Sequence, residues 1–427
     1  MSKDKINIGL IGFGTIGAGV VEIFNNNKSL IDEKTGKDVV LKKVGDLDIT
    51  TYRGVKIDVN MLTTDVNEIL DDDQIDIVIE LIGGYEPAKT FILKALKNKK
   101  HVISANKALI SKEWNDLNDT AKENNVRLLF EASVGGGIPI LQTINEQLSA
   151  NKFKSIYGIL NGTANYILSE MTENGTDFDK ILKEAQEKGY AEADPTFDIE
   201  GNDTAHKIII LTKIAYGKHI SQEEFLVEGI TNIDPIDIKI AKEELNYSIK
   251  LLAIAKNTDG KLEVHVHPTL IPENHILNSV NGVFNGIYLE GDFVGSVFLY
   301  GQGAGRSATA SAVVGDCVDI ILNPEKEINY HDKSSEELIK INDLELKYYI
   351  RILINPKEGV IEDISKILNT HDIDYDLLNQ NKCSRTVVPI LLITNTAKEG
   401  NIKKAIEDIA KLDYVRETPV YYRILED

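Results

Sequence analysis

A segment near the middle of the chain combines several carboxylates with one lysine. Glu192, Asp194 and Asp198 lie in a proline-containing loop, and Asp203 and Lys207 follow within a helical pattern. Residues four apart lie on one face of a helix, so this spacing places the Asp203 carboxylate beside the Lys207 ammonium. An exposed ion pair of this kind is common and contributes only about 0.2–0.5 kcal/mol to stability.

The residues after Lys207 support a second interpretation. The apolar run Ile208 to Leu211 predicts that the helix is largely buried. Buried ammonium and carboxylate groups are costly unless they serve one another or a ligand. A substrate with its own ammonium and carboxylate would satisfy them, and Lys207 could exchange a proton with an alcohol oxygen as hydride leaves the carbon. The spacing alone leaves both interpretations open.

A glycine-rich turn near the N-terminus indicates a dinucleotide site. The apolar run Ile6 to Ile11 leads into Gly12-Phe13-Gly14-Thr15-Ile16-Gly17, and a helical pattern follows. In such a turn the first glycine permits the tight bend, the second lets the backbone approach a pyrophosphate, and the third allows close helix–strand packing. Three glycines in an ordinary loop are the alternative, and the strand-turn-helix context favours dinucleotide binding.

The residues after the second predicted strand bear on the choice between NAD and NADP. An acidic residue at this position binds the ribose hydroxyls in NAD sites, whereas an arginine accommodates the additional phosphate of NADP. This chain has Asp46 and Asp48, with Arg53 shortly afterwards. Asp46 favours NAD, Arg53 suits a 2′-phosphate, and Asp46 can equally be a turn residue. The cofactor preference therefore stays open.

The apolar pattern around these segments predicts an α/β protein of three domains. Short apolar runs alternate with amphipathic stretches in the first third, as in βαβ units with a parallel sheet. We expect a Rossmann-type nucleotide-binding domain over residues 1–140, with 300–325 returning to it, and an α+β substrate and dimerisation domain over 141–299. A polar stretch at 322–344 is typical of a linker. Residues 345–427 follow the βαββαβ order of a separate ferredoxin-like domain.

The individual elements follow from the same pattern. The predicted strands are 6–11, 75–82, 101–104, 127–131, 262–270, 286–299, 347–354, 373–380, 387–394 and 420–424. The predicted helices are 179–188, 203–216, 307–321, 360–368 and 402–412.

The composition excludes several classes of function. Acidic residues outnumber basic ones by 67 to 47, and the net charge of −20 argues against nucleic acid or an anionic membrane as the partner. The N-terminus has no secretory signal and no transmembrane stretch is visible, so we expect a cytoplasmic protein. Cys317 and Cys383 lie far apart and indicate neither a disulfide nor a zinc site. Neither fits the reactive cysteine of an aldehyde dehydrogenase that forms a thiohemiacetal.

Seven segments in order along residues 5–325 resemble the homoserine dehydrogenase family. They are Gly12–Gly17, Glu80–Pro87, Ser104–Leu109, Glu131–Pro139, Asn161–Leu168, Gly189–Lys207 and Gly303–Arg306. The resemblance implies NAD(P)-dependent interconversion of L-homoserine and L-aspartate 4-semialdehyde, in the pathway to threonine and methionine.

The same resemblance implies roles for individual residues. Lys207 matches the catalytic lysine, Glu192 and Asp203 match the residues that hold the substrate ammonium, Asp198 supports them, and Lys107 touches cofactor and substrate. The implied cofactor-binding residues are Gly12, Phe13, Gly14, Thr15, Ile16, Gly17, Gly83, Lys107, Gly189, Gly303 and Gly305. A monovalent cation, sodium, is implied at oxygens of Glu131, Val134, Gly136 and Ile138.

The chain departs from the family before Asp46, where family members often carry an arginine. The segment Lys43-Val44-Gly45 is about two residues shorter there, which leaves the preference for NADP without its usual residue.

The tail, residues 346–427, resembles an ACT domain, a module that binds small amino acids and pairs with copies of itself. The resemblance implies a homodimer or homotetramer and an effector, with threonine as the candidate, near Asn355 to Ile361. Glu358 stands where the family usually has proline, so a dimerisation module without a ligand is the alternative. A non-catalytic dinucleotide-binding amino-acid sensor is the rival function, and the Glu192, Asp203 and Lys207 set argues against it.

Overall fold

Two interleaved units make up the protein. The structure is a computed structural model and describes residues 4–327, 330, 336–378 and 388–426. The first unit comprises residues 1–154, 206–221 and 283–335, and the second comprises 155–205, 222–282 and 336–427. Within the described part of the chain, no helix combines the length and the apolar character needed to cross a membrane.

Strands and helices alternate at the start of the first unit. They are β1 (Lys5–Ile11), α1 (Thr15–Thr35), β2 (Asp38–Gly45), β3 (Leu62–Thr63), α2 (Asn67–Leu70), β4 (Ile77–Glu80), α3 (Ala88–Lys97), β5 (His101–Ser104), α4 (Lys107–Lys112), α5 (Trp114–Glu123) and β6 (Leu128–Leu129). The sequence pattern missed β3, because two residues show no periodicity. Lys107 follows β5, the fifth strand of the chain.

These strands form one parallel sheet in the order β3-β2-β1-β4-β5-β6. The order reverses between β1 and β4, and open parallel sheets bind ligands beyond the carboxyl ends of their strands at such a reversal. The glycine-rich turn at 12–17 follows β1 at this point. The Rossmann-type prediction is confirmed.

The middle of the chain mixes helices with longer strands. They are α6 (Ile140–Gln142), β7 (Phe153–Ile159), α7 (Gly162–Asn174), α8 (Phe178–Glu187), α9 (Thr196–Ile199), α10 (Asn202–Tyr216), β8 (Leu226–Val227), α11 (Pro235–Ile240), β9 (Tyr247–Thr258), β10 (Lys261–Pro272), β11 (Phe284–Gly291), β12 (Gly295–Gln302) and α12 (Arg306–Leu322). The predicted strand at 286–299 is a hairpin of β11 and β12.

Helix α12 completes the core of the first unit. Its buried Cys317 belongs to one apolar cluster with Ile8 of β1 and Val20 of α1. Gly19 allows α1 to approach α12, since a Cβ at Gly19 would lie 2.9 Å from the Cβ of Ala310. Cys317 is a free thiol whose pKa burial raises well above its usual value. The other cysteine, Cys383, lies outside the described residues.

The tail has the element order that the sequence predicts. Its elements are β13 (Glu337–Leu338), β14 (Glu345–Ile354), α13 (Val360–Thr370), β15 (Tyr375–Leu377), β16 (Val388–Thr394), β17 (Ala397–Lys398), α14 (Glu399–Ile409) and β18 (Val420–Ile424). Strands β18, β14, β16 and β15 lie side by side in that order and pair antiparallel. Apart from β13, which precedes the tail, and the additional two-residue strand β17, these elements confirm the predicted βαββαβ order. Strand β15 is shorter than predicted, and residues 379–387 lie outside the described part.

Strands of the tail pair directly with a strand of the middle segment, although the polar stretch before the tail predicted a linker. Strand β18 pairs in parallel with β10, and the register joins Thr269 to Arg423. One sheet therefore runs β7-β9-β10-β18-β14-β16-β15 through the second unit. Glu337 and Leu338, inside the predicted linker, also pair with β10. Pairing between strands so far apart in sequence leaves no local pattern, so the sequence could not reveal it.

Two buried arginines of the tail bind carboxylates of the second unit. Arg351 Nε and Nη2 donate to the Asp237 carboxylate at 2.7 and 3.0 Å. Arg423 donates to Glu399 and to Glu228. Both arginines are at most 2% exposed. Removal of either guanidinium would leave a carboxylate without its partner.

Arg351→Met should lower the free energy of unfolding by about 3–5 kcal/mol, because Asp237 would remain buried and charged without its partner. Lys154→Met is the matched control, since it removes an exposed pair in which Lys154 Nζ lies 3.1 Å from Glu290. The control should change the free energy of unfolding by less than about 1 kcal/mol. Denaturant unfolding of both variants measures the difference, and equal losses would contradict a special role for the buried pair.

Candidate active site

The 12–17 turn contains three glycines, and the structure gives a different physical reason for glycine at each position. Gly12 has φ +102°, and a Cβ there would lie 2.7 Å from the backbone carbon of Leu81. A Cβ at Gly17 would lie 2.0 Å from the Gly12 carbonyl oxygen. A Cβ at Gly14 would meet no atom within 4 Å. The protein itself thus requires glycine at positions 12 and 17, whereas the space at Gly14 fits the close approach of a ligand.

The N-terminus of α1 offers unused hydrogen-bond donors. Within the described residues no side chain caps this helix, because the N-cap residue is Gly14. The first N–H groups of a helix have no partner inside it, and they carry the positive end of the helix dipole. An uncapped N-terminus beside the space at Gly14 therefore fits the pyrophosphate of a dinucleotide.

Asp46 binds the glycine-rich turn itself. Its Oδ2 accepts from the Phe13 N–H at 2.6 Å, and its Oδ1 accepts from the Asp48 N–H at 2.9 Å. Arg53 Nη2 donates to Asp48 at 2.9 Å. Of the alternatives that the sequence left open, the turn role of Asp46 is the one visible in the structure, and the Arg53 charge is paired with Asp48.

A buried network that the sequence did not reveal lies at the carboxyl ends of β4 and β5. Glu80 accepts from the Ile82 and Gly83 N–H groups at 2.8 and 3.2 Å and from the Ser104 hydroxyl at 2.7 Å. Burial raises the pKa of this carboxyl above its usual value. Glu80 thereby fixes the turn that contains Gly83, whose φ is +71°.

The same network reaches the start of helix α4. The Ser104 hydroxyl accepts from the Asn106 N–H at 3.1 Å, and Asn106 Nδ2 donates to the Gly84 carbonyl at 2.6 Å. Asn106 also caps α4 by accepting from the Leu109 N–H. Lys107 is the first residue of this helix and directly follows Asn106. The hydrogen bonds of Asn106 therefore fix the Lys107 backbone at the edge of the sheet where ligands bind.

Asn161 connects two of the predicted substrate carboxylates in the second unit. Its Nδ2 donates to Asp198 at 2.7 Å and to Asp203 at 2.8 Å, and its Oδ1 caps α7 by accepting from the Ala164 N–H. The sequence placed Asn161 in a family segment without giving it a role. An asparagine that bridges two carboxylates leaves no periodic signal.

Helix α10 carries both Asp203 and Lys207. The side chains are 4% and 8% exposed, and the following residues Ile208 to Leu211 are buried. The prediction of a largely buried helix is therefore confirmed, and the exposed ion pair is excluded. The boundary between the two units falls inside this helix, after Ala205.

Two predicted residues near this helix are more exposed. The Glu192 side chain is exposed, and no hydrogen bond or ion pair within the described residues involves its carboxylate. Gly189 lies at the start of the loop after α8 with φ +74°, and a Cβ there would meet no atom within 4 Å. The structure thus brings Asp198 and Asp203 together through Asn161.

The predicted cation loop is tightly built by its own hydrogen bonds. The Glu131 carboxylate accepts from the Leu141 and Gln142 N–H groups, both at 2.8 Å, and burial raises its pKa to about 7. The Ile138 carbonyl accepts from the Ile140 N–H at 2.8 Å. No group of three or more carboxylate, histidine or cysteine side chains in the described residues could hold a metal. Any cation here would depend on backbone carbonyls.

Gly303 and Gly305, before α12, are glycines for different reasons: packing at Gly303 and backbone conformation at Gly305. A Cβ at Gly303 would lie 2.0 Å from the Asn285 side chain, and a Cβ at Gly136 would lie 2.5 Å from Gly303. Gly305 precedes α12 with φ +112°, and a Cβ there would meet no atom within 4 Å. Gly303 is therefore required by packing, whereas the space at Gly305 is also open to a ligand.

Comparison with known proteins relates the chain to one family. A family model described as homoserine dehydrogenase matches residues 139–318, and one described as the NAD-binding domain of homoserine dehydrogenase matches residues 12–131. The homoserine dehydrogenase of Synechocystis is 40% identical, and the alignment covers 98% of this chain and 99% of that protein.

Solved structures give the same relation. A homoserine dehydrogenase from Thiobacillus denitrificans is 38% identical with a TM-score of 0.92, and the match covers 100% of this chain and 99% of that one. A hyperthermophilic archaeal homoserine dehydrogenase in complex with NADPH is 26% identical with a TM-score of 0.63. That match covers 75% of this chain and 98% of the archaeal one, so about a quarter of this chain has no counterpart there.

Gly14→Ala should leave the melting temperature unchanged and weaken dinucleotide binding at least about tenfold, because the methyl group would occupy the space at the turn without touching the protein. Gly17→Ala should instead lower the melting temperature by several degrees, since its Cβ would collide with the Gly12 carbonyl. Thermal unfolding and fluorescence titration with NADH and NADPH distinguish the two effects. An unchanged affinity in Gly14→Ala would argue against a dinucleotide at this turn.

Proposed function

The chain belongs to the homoserine dehydrogenase family, and from this premise we propose which of its residues carry out the interconversion of L-homoserine and L-aspartate 4-semialdehyde. The protein is an NAD(P)-dependent oxidoreductase. The observation that carries our assignment is helix α10, which holds a buried carboxylate and a buried lysine four residues apart.

Lys207 is the proton-transfer group in this proposal. A nicotinamide dinucleotide bound beside it would supply the acceptor for the hydride that leaves the alcohol carbon of homoserine. Lys207 Nζ takes the proton of the hydroxyl as the carbonyl of the semialdehyde forms, and returns it in the opposite direction. A lysine in a buried helix suits this task, since its position is fixed and little water competes for the proton.

Asp198 and Asp203 bind the substrate ammonium in this proposal. Asn161 supports the assignment, because it holds one oxygen of each carboxylate within hydrogen-bonding distance of its own amide nitrogen. A carboxylate has about four acceptor positions on its two oxygens, so both groups can accept from an ammonium in addition to the amide. Glu192 contributes a third carboxylate from its exposed loop when the substrate is bound.

The cofactor site extends over the 12–17 turn, Gly83, Gly189, Gly303 and Gly305, with Lys107 between cofactor and substrate. The Glu80 network supports the part at Gly83 and Lys107, because it fixes both turns at the same edge of the sheet. The related archaeal enzyme is described in complex with NADPH. In this chain Asp46 binds the glycine-rich turn, and Arg53 is paired with Asp48. NAD and NADP both remain candidates.

Absorbance at the nicotinamide band, with homoserine and each cofactor in turn, tests the activity and the cofactor preference together. A folded protein that is inert with both cofactors would leave the rival function, a non-catalytic dinucleotide-binding amino-acid sensor.

A sodium ion at the carbonyls of Glu131, Val134, Gly136 and Ile138 is part of the proposal. The turn supports it through the positive φ of Gly136, +57°, which directs neighbouring carbonyls differently from a regular helix. Backbone carbonyls are suitable ligands for a hard cation.

The tail is a regulatory ACT domain in this proposal, and its effector is threonine. The βαββαβ order and the strand order of the tail support the domain type. A ligand there can influence catalysis only if it favours one conformation or assembly over another. The sheet shared by β10 and β18 provides a direct connection for such coupling. A homodimer or homotetramer is the expected assembly, with a dimerisation tail that binds no ligand as the alternative.

Lys207→Met should reduce turnover by about two to four orders of magnitude while dinucleotide affinity is retained, because a positioned acid or base contributes about that much. Lys213→Met is the matched control, a buried lysine of the same helix that donates to the Gly217 carbonyl at 2.9 Å. The control should keep turnover within a few-fold of the native value. Near-normal turnover of Lys207→Met would transfer the proton role to Lys107.

Threonine should inhibit the full chain, and Ile361→Glu should abolish the inhibition without changing turnover in its absence. Ile361 is 37% exposed at the start of α13, so a charge there alters the proposed pocket and not the core. Lys366→Glu, an exposed change on the same helix, should stay sensitive. A full chain that threonine does not inhibit would favour the ligand-free dimerisation tail. A shortened chain ending near residue 340 is a poor test, because Asp237 and Glu228 would lose their arginines.

A further inference from the structure

A buried lysine in the second unit is bound entirely by uncharged groups. Lys250 lies on β9 and is 3% exposed. Its Nζ donates to the Val280 carbonyl and to Asn281 Oδ1, both at 2.8 Å, and lies 3.3 Å from Asn165 Oδ1. No carboxylate pairs with it within the described residues, and burial lowers its pKa to about 8. Burial of an ammonium without a counter-charge is costly, so its contacts require an explanation.

These contacts fasten helix α7 to the segment 280–282. Asn165 Nδ2 donates to the Val280 and Gly282 carbonyls at 3.2 and 3.0 Å. The hydroxyl of Ser169, one turn later on α7, accepts from the Gly282 N–H at 3.1 Å and lies 3.4 Å from Lys250 Nζ. The ammonium therefore sits at the centre of the attachment and contacts both sides of it.

The first turn of α7 is connected to the proposed substrate carboxylates through Asn161. Asn165 donates its backbone N–H to the Asn161 carbonyl at 3.1 Å, one helical turn away. Asn161 is the N-cap of α7 and donates to Asp198 and Asp203. A shift of the first turn of α7 would therefore move the amide that holds both carboxylates.

We propose that Lys250 is a positioning residue for substrate binding: it fixes the first turns of α7, and through Asn161 it sets the separation of Asp198 and Asp203. This inference rests on the proposed assignment of these carboxylates to the substrate ammonium. It gives a reason for the buried charge, because an ammonium bonds several oxygens at once and its charge strengthens each bond.

The test compares Lys250→Met with Lys100→Met. Lys100 is also 3% exposed and donates to two backbone carbonyls, those of Asp72 and Ile75, but it lies in the first unit. Both variants remove a buried ammonium, so both should lower the melting temperature. Lys250→Met should raise the KM for homoserine about tenfold, with kcat and the KM for the dinucleotide within about twofold of native. Lys100→Met should leave the KM for homoserine unchanged.

A double variant examines whether the effect passes through Asn161. If it does, Lys250→Met combined with Asn161→Ala should raise the KM for homoserine no further than Asn161→Ala alone, since coupled residues are not additive. Should Lys250→Met fail to fold, Asn281→Ala removes one acceptor of the ammonium and should raise the same KM by a smaller factor.

Three results would overturn the inference: an unchanged KM for homoserine in every variant around Lys250, equal effects of Lys250→Met and Lys100→Met on that KM, or full additivity with Asn161→Ala. Failure of the proposed carboxylate assignment is recognised separately. In that case Asp203→Asn would leave the KM for homoserine of the active enzyme unchanged.

Discussion

The need to give every buried charge a partner is the constraint on which both units depend. In the first unit Glu80 accepts three hydrogen bonds and so defines two turns at the ligand-binding edge of the sheet. In the second, Arg351 and Arg423 fasten the tail to Asp237 and Glu228 of the middle segment. Lys250 is held by neutral oxygen acceptors, and Asp203 accepts from the Asn161 amide. The cost of an unpaired charge makes these positions rigid, and rigidity is what a site for hydride and proton transfer requires.

Sequence reasoning succeeded where the chemistry repeats at short intervals. Strand β5 and the buried course of α10 follow from periodicity, and the turn at Gly12 follows from a motif with a known geometry. It failed at Asn161, which donates to Asp198 and Asp203, and at Glu80, which accepts from Ser104, because these partners lie in other segments of the chain. Asp46 shows the intermediate case, because its position was noticed while its bond to Phe13 could only be seen in three dimensions.

The attachment of the tail is the clearest difference between pattern and structure. A polar stretch before it predicted a linker, yet β18 pairs with β10, a strand far earlier in the chain. Parallel pairing of distant strands depends on the whole sheet and has no local signature. The result places a sheet of ferredoxin-like order edge to edge with the strands of the middle segment, so a change in one can be transmitted by hydrogen bonds of the backbone itself.

The late position of helix α12 in the chain has a consequence for folding during synthesis on the ribosome. All six strands of the nucleotide-binding sheet are complete by Leu129, yet the helix that packs against α1 begins at Arg306. At a synthesis rate of about 5–20 residues per second, the ribosome needs roughly 9–35 s to reach it. For that time the apolar face of α1 lacks its natural cover, and a nascent chain in this state must be shielded from its neighbours until its own later helix arrives.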